Sequence, residues 1–455
     1  YAGAANTTGS SNVALGNAAL YSNTTASYNT AIGTCTLYAN TTGADNTAVG
    51  YLALKANTCG SRNVAVGVQT LHANTTGYSN TAIGPYALHD NTTAYRNTAV
   101  GINTLANNTT ASHNVAFGNN ALYLNTTGGS NTASGSYSLY KNTTGGNNAA
   151  FGGKALYCNT TASYNTAYGA CTLYANTTGP DNTAVGFKAL VANTTGASNT
   201  ASGRSALQAN STGAKNTGTG MYALYSNTTG CENTASGYYA LGKNTTGCSN
   251  TALGFDALAK NTTGLQNVAV GARALDANTT ACRNTAVGFH AMGANTTGTY
   301  NAAFGNYALK LNTTGNSNTA SGAYALNNNT TASYNAAFGS QSLYANTTGQ
   351  MNTAVGHYAL RTSTTGTENT AVGFCSLKAN TTGGYNQAFG MQTLTTNTTG
   401  AQNAAVGLYA LYNNTTANYN TAVGNCTLYA NTTGCLLYTS PSPRDQRGSG
   451  KPGSS

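Results

Sequence analysis

His72 and His89 stand seventeen residues apart with Asp90 beside the second, the nearest this 455-residue sequence comes to a metal or acid–base cluster. A structural metal centre needs three or four ligands, so two imidazoles and a carboxylate read as an outward column. The acidic residues Asp45, Asp90, Asp181, Glu232, Asp256, Asp276 and Glu368 recur at no fixed pair spacing. General acid/base catalysis needs two titratable groups held together in a pocket. The expectation is therefore a protein that is not an enzyme, with no catalytic residue, no metal site and no cofactor.

Other reactive residue types carry structural readings. Asn23, Asn40 and Asn74 each open an Asn-Thr-Thr run and have the form of N-x-T glycosylation acceptors. Stacked glycans would collide, so the runs read as turn chemistry, in which Asn and Thr side chains bond nearby backbone. Of the 10 cysteines, Cys231 and Cys248 are seventeen residues apart and would form the one plausible disulfide in an oxidising compartment. Tyr21, Tyr38, Tyr123, Tyr140, Tyr157 and Tyr174 also recur in register. Aromatic rings carrying a hydroxyl suit contact with carbohydrate or protein.

The net charge of +10 does not imply nucleic acid. Phosphate binding needs clustered cations, and Lys55, Arg62, Arg96, Lys141 and Lys188 are scattered singly. No run approaches the ~18 to 20 apolar residues that span a bilayer, so no membrane insertion is expected within this stretch.

What must position these side chains is a repeat. From Asn12 the pattern N-T-A-V-G-x-x-A-L-x-x-N-T-T-G-x-x recurs every 17 residues, with 25 starts to Asn420 and no insertion or deletion. The first position is always Asn and the fifth always Gly; the third is Ala except Gly218, the ninth Leu except Met292, the twelfth Asn except Ser363. The sixth, seventh, tenth, sixteenth and seventeenth positions vary freely. Fixed and free positions divide in this way when a chain winds once per repeat around a common axis. Seventeen residues containing N-T-T-G are too few and too poor in helix formers for a helix pair. The sequence predicts an all-β parallel solenoid of about 25 coils with two short strands per coil, at the first to fifth and seventh to eleventh positions. Stacking at ~4.8 Å per coil would make a rod on the order of 120 Å. The ladder columns begin with Asn12, Asn29 and Asn46, Gly16, Gly33 and Gly50, and Leu20, Leu37 and Leu54.

Strand alternation puts the second and fourth positions (Thr47, Val49) on one face and Asn46, Ala48 and Gly50 on the other. The second face is uniformly small, so backbone approaches closely there, across a thin coil or across an interface. A coil burying one Leu, one Val-sized residue and two Ala has a thin core, which predicts oligomerisation, most simply a closed homotrimer.

The N-T-A-V-G and N-V-A-V-G units resemble the S-V-A-I-G core of YadA-like trimeric autotransporter adhesin heads, and the whole N-T-A-V-G-x-x-A-L-x-x-N-T-T-G array is similar to phage tail-fibre repeats. The resemblance covers residues 1–435 and implies a left-handed β-roll, three chains side by side, and attachment to a host-surface glycan or protein. It implies an extracellular, cell-surface or virion-surface fibre. Two alternatives share the scaffold: an ice-binding solenoid, against which no clear T-x-T stripe is visible, and a purely structural coat or matrix protein. Residues 1–11 form a partial repeat. Residues 436–455 share nothing with it and read as a non-repeat, disordered tail added by an adapter.

Overall fold

The computed structural model describes residues 1–439, and these form two compact units, 1–233 and 234 onward. The first stacks thirteen strands, from Val13–Leu15 to Thr217–Thr219; the second stacks thirteen, from Thr234–Ser236 to Tyr438–Thr439. Pairing within each unit is parallel, with a constant shift of one repeat: Thr30 pairs with Thr47, Ala31 with Ala48, Ile32 with Val49. The chain is an all-β solenoid with a spacing of 17 residues, and no helix occurs among the described residues.

Each coil contributes one three-residue strand, not two, at the second to fourth positions. The seventh to eleventh positions take a different form. Leu52 and Leu54, at the seventh and ninth positions, have φ of 59° and 50°, and the corresponding residues of the other coils do the same. Alternate left-handed residues rotate successive peptide planes, so hydrogen bonds leave the coil in both directions. Leu52 donates to Thr34 of the preceding coil at 3.1 Å, whereas Leu54 donates to Thr70 and Ala56 to His72 of the following one, at 3.0 and 3.1 Å. A left-handed conformation costs a bulky L-residue roughly 1–2 kcal/mol, and here it leaves these backbone groups paired between coils. Apolar alternation alone cannot distinguish this path from a strand.

The core lies between the strand and this left-handed segment. Ala48, Ala53 and Leu54 are fully buried, as are Asn46 and Asn57. The uniformly small face of the strand is thus the inside of a thin coil. The fourth position, expected to add a Val-sized residue to the core, points outward: Phe117 is 43% exposed and Phe304 45%. Alternation separates the two faces of the strand, but which face is covered depends on where the return segment passes.

The two prolines within the repeat array sit where the ladder asks for no N–H. Pro85 and Pro180 lie at the sixth and sixteenth positions, and their carbonyls still accept from Asn103 and Ser198, at 3.0 and 3.2 Å. Past Cys435 the residue pattern ends but the backbone register does not. Leu437 donates to Asn420 Oδ1 at 2.9 Å, and Tyr438 and Thr439 pair with Thr421 and Ala422. The rest of the expected tail, residues 440–455, lies outside the described residues.

Candidate functional site

Four columns build the platform on which any site must stand. The twelfth-position Asn passes an amide hydrogen bond up the stack: Asn40 Nδ2 donates to Asn23 Oδ1 at 3.1 Å, Asn57 to Asn40 and Asn74 to Asn57 at 2.8 Å. Its second amide hydrogen closes the local turn, as from Asn40 to the Gly43 carbonyl at 3.0 Å. The first-position Asn receives the next coil's backbone, Asn46 N donating to Asn29 Oδ1 at 3.0 Å, and Asn46 Nδ2 reaches the Gly60 carbonyl at 2.9 Å. Asn12 begins this column by accepting from Asn29 N at 2.9 Å. Gly16, Gly33 and Gly50 form a tight backbone contact: Gly50 has φ of 132°, and a Cβ there would sit 2.4 Å from the Gly67 carbonyl oxygen. Leu20, Leu37 and Leu54 fill the remaining space.

The amide ladder has one substitution, Ser363. The shorter side chain cannot bridge, and both Asn346 Oδ1 and Ser363 Oγ are buried without a hydrogen-bond partner.

Burial settles how the N-x-T runs are used. Asn23, Asn40 and Asn74 are fully buried and committed to the ladder, so their amides face no modifying enzyme in the folded chain. The following threonines divide: Thr24 and Thr41 each donate a hydroxyl to the next coil's carbonyl at 3.1 Å, while Thr25 is exposed. Within each of these runs, therefore, only the second Thr is exposed.

His72 and His89 stack face to face at 5.1 Å, and His89 Nδ1 lies 2.6 Å from Asp90 Oδ1. Burial, and next the neighbouring His89, hold the His72 imidazole below its ordinary pKa. No three potential metal ligands converge among the described residues. Cys231 falls in the first unit and Cys248 in the second, both half-buried.

The outward tyrosines stack wherever they occupy the tenth position in consecutive coils. Tyr21 and Tyr38 are 5.2 Å apart. Tyr123, Tyr140, Tyr157 and Tyr174 make a four-ring column with centroid spacings of 5.4, 5.2 and 5.1 Å and interplanar angles of 5–8°. In this column most ring faces are covered by the next ring.

A different arrangement occurs in the second unit. Tyr307 and Tyr324 lie at the seventh position and Lys310, Asn327, Tyr344 and Arg361 at the tenth, so aromatic rings alternate with amide and cationic groups. Two adjoining depressions result, of about 310 and 360 Å³, sharing Tyr324 and Tyr344. Lys310 Nζ lies 4.7 Å from the Tyr307 ring centre, and the Arg361 guanidinium 5.0 Å from that of Tyr358. Asn327 Nδ2 donates to the Tyr307 carbonyl at 2.9 Å, and Arg361 Nε to Gln341 Oε1 at 3.0 Å. Reading only the tenth-position tyrosines misses this group. Its signal in the sequence is seventh-position Tyr combined with tenth-position Lys, Asn and Arg along a stretch without acidic residues between Asp276 and Glu368. No protein-family model matches the chain, and no curated protein matches it either.

Proposed function

We propose that the chain is a segment of an extracellular or virion-surface fibre, a non-enzymatic shaft or adhesin head that presents repeated weak sites to a host-surface glycan or protein. The observation that carries this reading is the division of labour within a coil. Inward positions are held to Asn, Ala, Gly and Leu and close a regular ladder, while outward positions change from coil to coil without disturbing the register. Such a scaffold supplies reach through coil number, rigidity through laddered hydrogen bonds, and avidity through repetition.

Self-association into a homotrimer fits the outer face of the strand. Phe151, Phe304, Phe338 and Phe389 at the fourth position and Phe187, Phe255, Phe289 and Phe374 at the sixth are exposed. Exposed aromatic rings that recur along the array favour contact with another chain, and a closed ring buries them without leaving a growing end. Sedimentation equilibrium of residues 1–435 is expected to give three times the chain mass; a folded monomer would remove the trimer. Binding to glycan arrays and to cells, present for the chain and absent for an unrelated solenoid, tests the adhesive role against a purely structural coat.

A further inference from the structure

Aromatic rings, amides and cations without carboxylate partners occur together along Tyr307, Lys310, Tyr324, Tyr344 and Arg361, where they line two adjoining depressions. We propose that this group is a binding site for an acidic saccharide, with the sugar rings laid on Tyr324 and Tyr344 and their carboxylates held by Lys310 and Arg361. The proposal rests on the fibre reading above and names one of its surface sites.

The rings are not equally free: Tyr307 stacks on His290 at 5.7 Å and packs against Tyr324 at 5.2 Å and 30°, whereas Tyr344 has only the Arg361 guanidinium over it, 5.9 Å from its centre. Tyr344 has Asn327 and Arg361 as its tenth-position neighbours, so no ring stacks on it in register. Tyr324 contacts Tyr344 only obliquely, at 6.4 Å and 59°. Flat, half-exposed phenol rings with a hydroxyl at the edge suit the apolar faces and polar rims of pyranose rings. The depressions, at about 310 and 360 Å³, reach the size range of small-ligand sites.

The charges specify the class of sugar. Among the described residues no carboxylate pairs with Lys310 or Arg361, and the nearest acids in sequence are Asp276 and Glu368. Gln341 Oε1 takes the Arg361 Nε hydrogen, which orients the guanidinium and leaves its terminal N–H groups, the fork that grips a carboxylate in two parallel bonds. Lys310 adds a point charge beside Tyr307. Two cations over four coils suit a saccharide with widely spaced carboxylates. Single-stranded nucleic acid also stacks on aromatic rings, but it carries a phosphate at every nucleotide and draws on a continuous basic groove.

Isothermal titration calorimetry of the full chain, with a uronic-acid oligosaccharide, its carboxyl-reduced counterpart and a single-stranded oligonucleotide of equal charge, decides the matter. The acidic saccharide is expected to bind at least tenfold more tightly than either comparison ligand. Arg361→Gln is expected to weaken it about tenfold or more, Tyr344→Ser to weaken both saccharides, and Tyr157→Ser, in the stacked column, to change neither. Unchanged thermal melting of each variant excludes misfolding. Tighter binding of the oligonucleotide overturns the proposal. So does undiminished saccharide binding by Arg361→Gln and Tyr344→Ser, which would place saccharide binding elsewhere on the fibre and leave the fibre reading intact. No saccharide binding by the chain also overturns the site, and the cell-binding result then decides the fibre reading separately.

Discussion

Coils 123–174 and coils 307–361 are built on the same inward columns, yet their outer faces behave oppositely. In the first, tyrosine repeats at one position and the rings close upon each other at 5.1–5.4 Å. In the second, Lys310, Asn327, Tyr344 and Arg361 succeed each other at that position while His290, Tyr307 and Tyr324 pack at the seventh at 5.7 and 5.2 Å, and depressions open between the two columns. A perfect repeat makes a ladder that satisfies itself; an imperfect one leaves surfaces for something else. In a solenoid, binding capacity therefore arises where outward register is broken and inward register is kept.

The inward half of that contrast is the easiest to break. Gly152→Val beneath the tyrosine column and Gly322→Val in the second region should each destabilise by roughly 3–5 kcal/mol, since both combine positive φ with contact against the next coil. Their φ values are 126° and 137°, and an added Cβ would lie 2.7 and 2.6 Å from the following Gly. Denaturant unfolding should show the two losses to be alike, because the columns are the same; a mild effect at one would separate the regions at the level of scaffold.

Ser363 is the point at which the second region departs from the inward pattern. Ser363→Asn should restore the amide ladder to Asn346 Oδ1 and raise stability by about 1–2 kcal/mol, seen as a higher unfolding midpoint with unchanged slope. Removing an inner ring of the column, Tyr140→Ser, should cost about 1 kcal/mol through lost stacking. The burial around Tyr140, and next the adjoining Tyr157, hold its phenol above the ordinary pKa, so Tyr157→Ser should bring that titration back down in a spectrophotometric scan. The smallest stability change is expected from Asn327→Tyr, which places a ring in register with Tyr344. Its consequence is functional: the second region acquires the stacked form of the first and should lose acidic-saccharide binding by calorimetry.

Much of this was legible in the residues. The period, the Asn columns, the Gly column and the Leu column follow from Asn12, Gly16 and Leu20 and their repeats, because a constant 17-residue spacing allows like to stack on like. The second strand did not appear because Leu52 and Leu54 adopt left-handed backbone, a conformation that apolar alternation does not encode. The outward placement of Phe117 and Phe304 was illegible for a related reason: alternation separates two faces of a strand without saying which one the returning chain will cover. The group around Tyr324 and Tyr344 is not legible in any one column of residues because its members lie in two columns, the seventh and tenth positions of successive coils, which sequence distance separates and coil geometry makes neighbours.

Strict periodicity by itself determined the winding, the register and the identity of the stacked columns, since each coil must present the same hydrogen-bonding edge to the next. Only the tertiary structure decided which side of each strand became interior and which outer residues meet. Those choices depend on where the left-handed segment closes the coil and on contacts between side chains a full turn apart, and neither is contained in any one repeat.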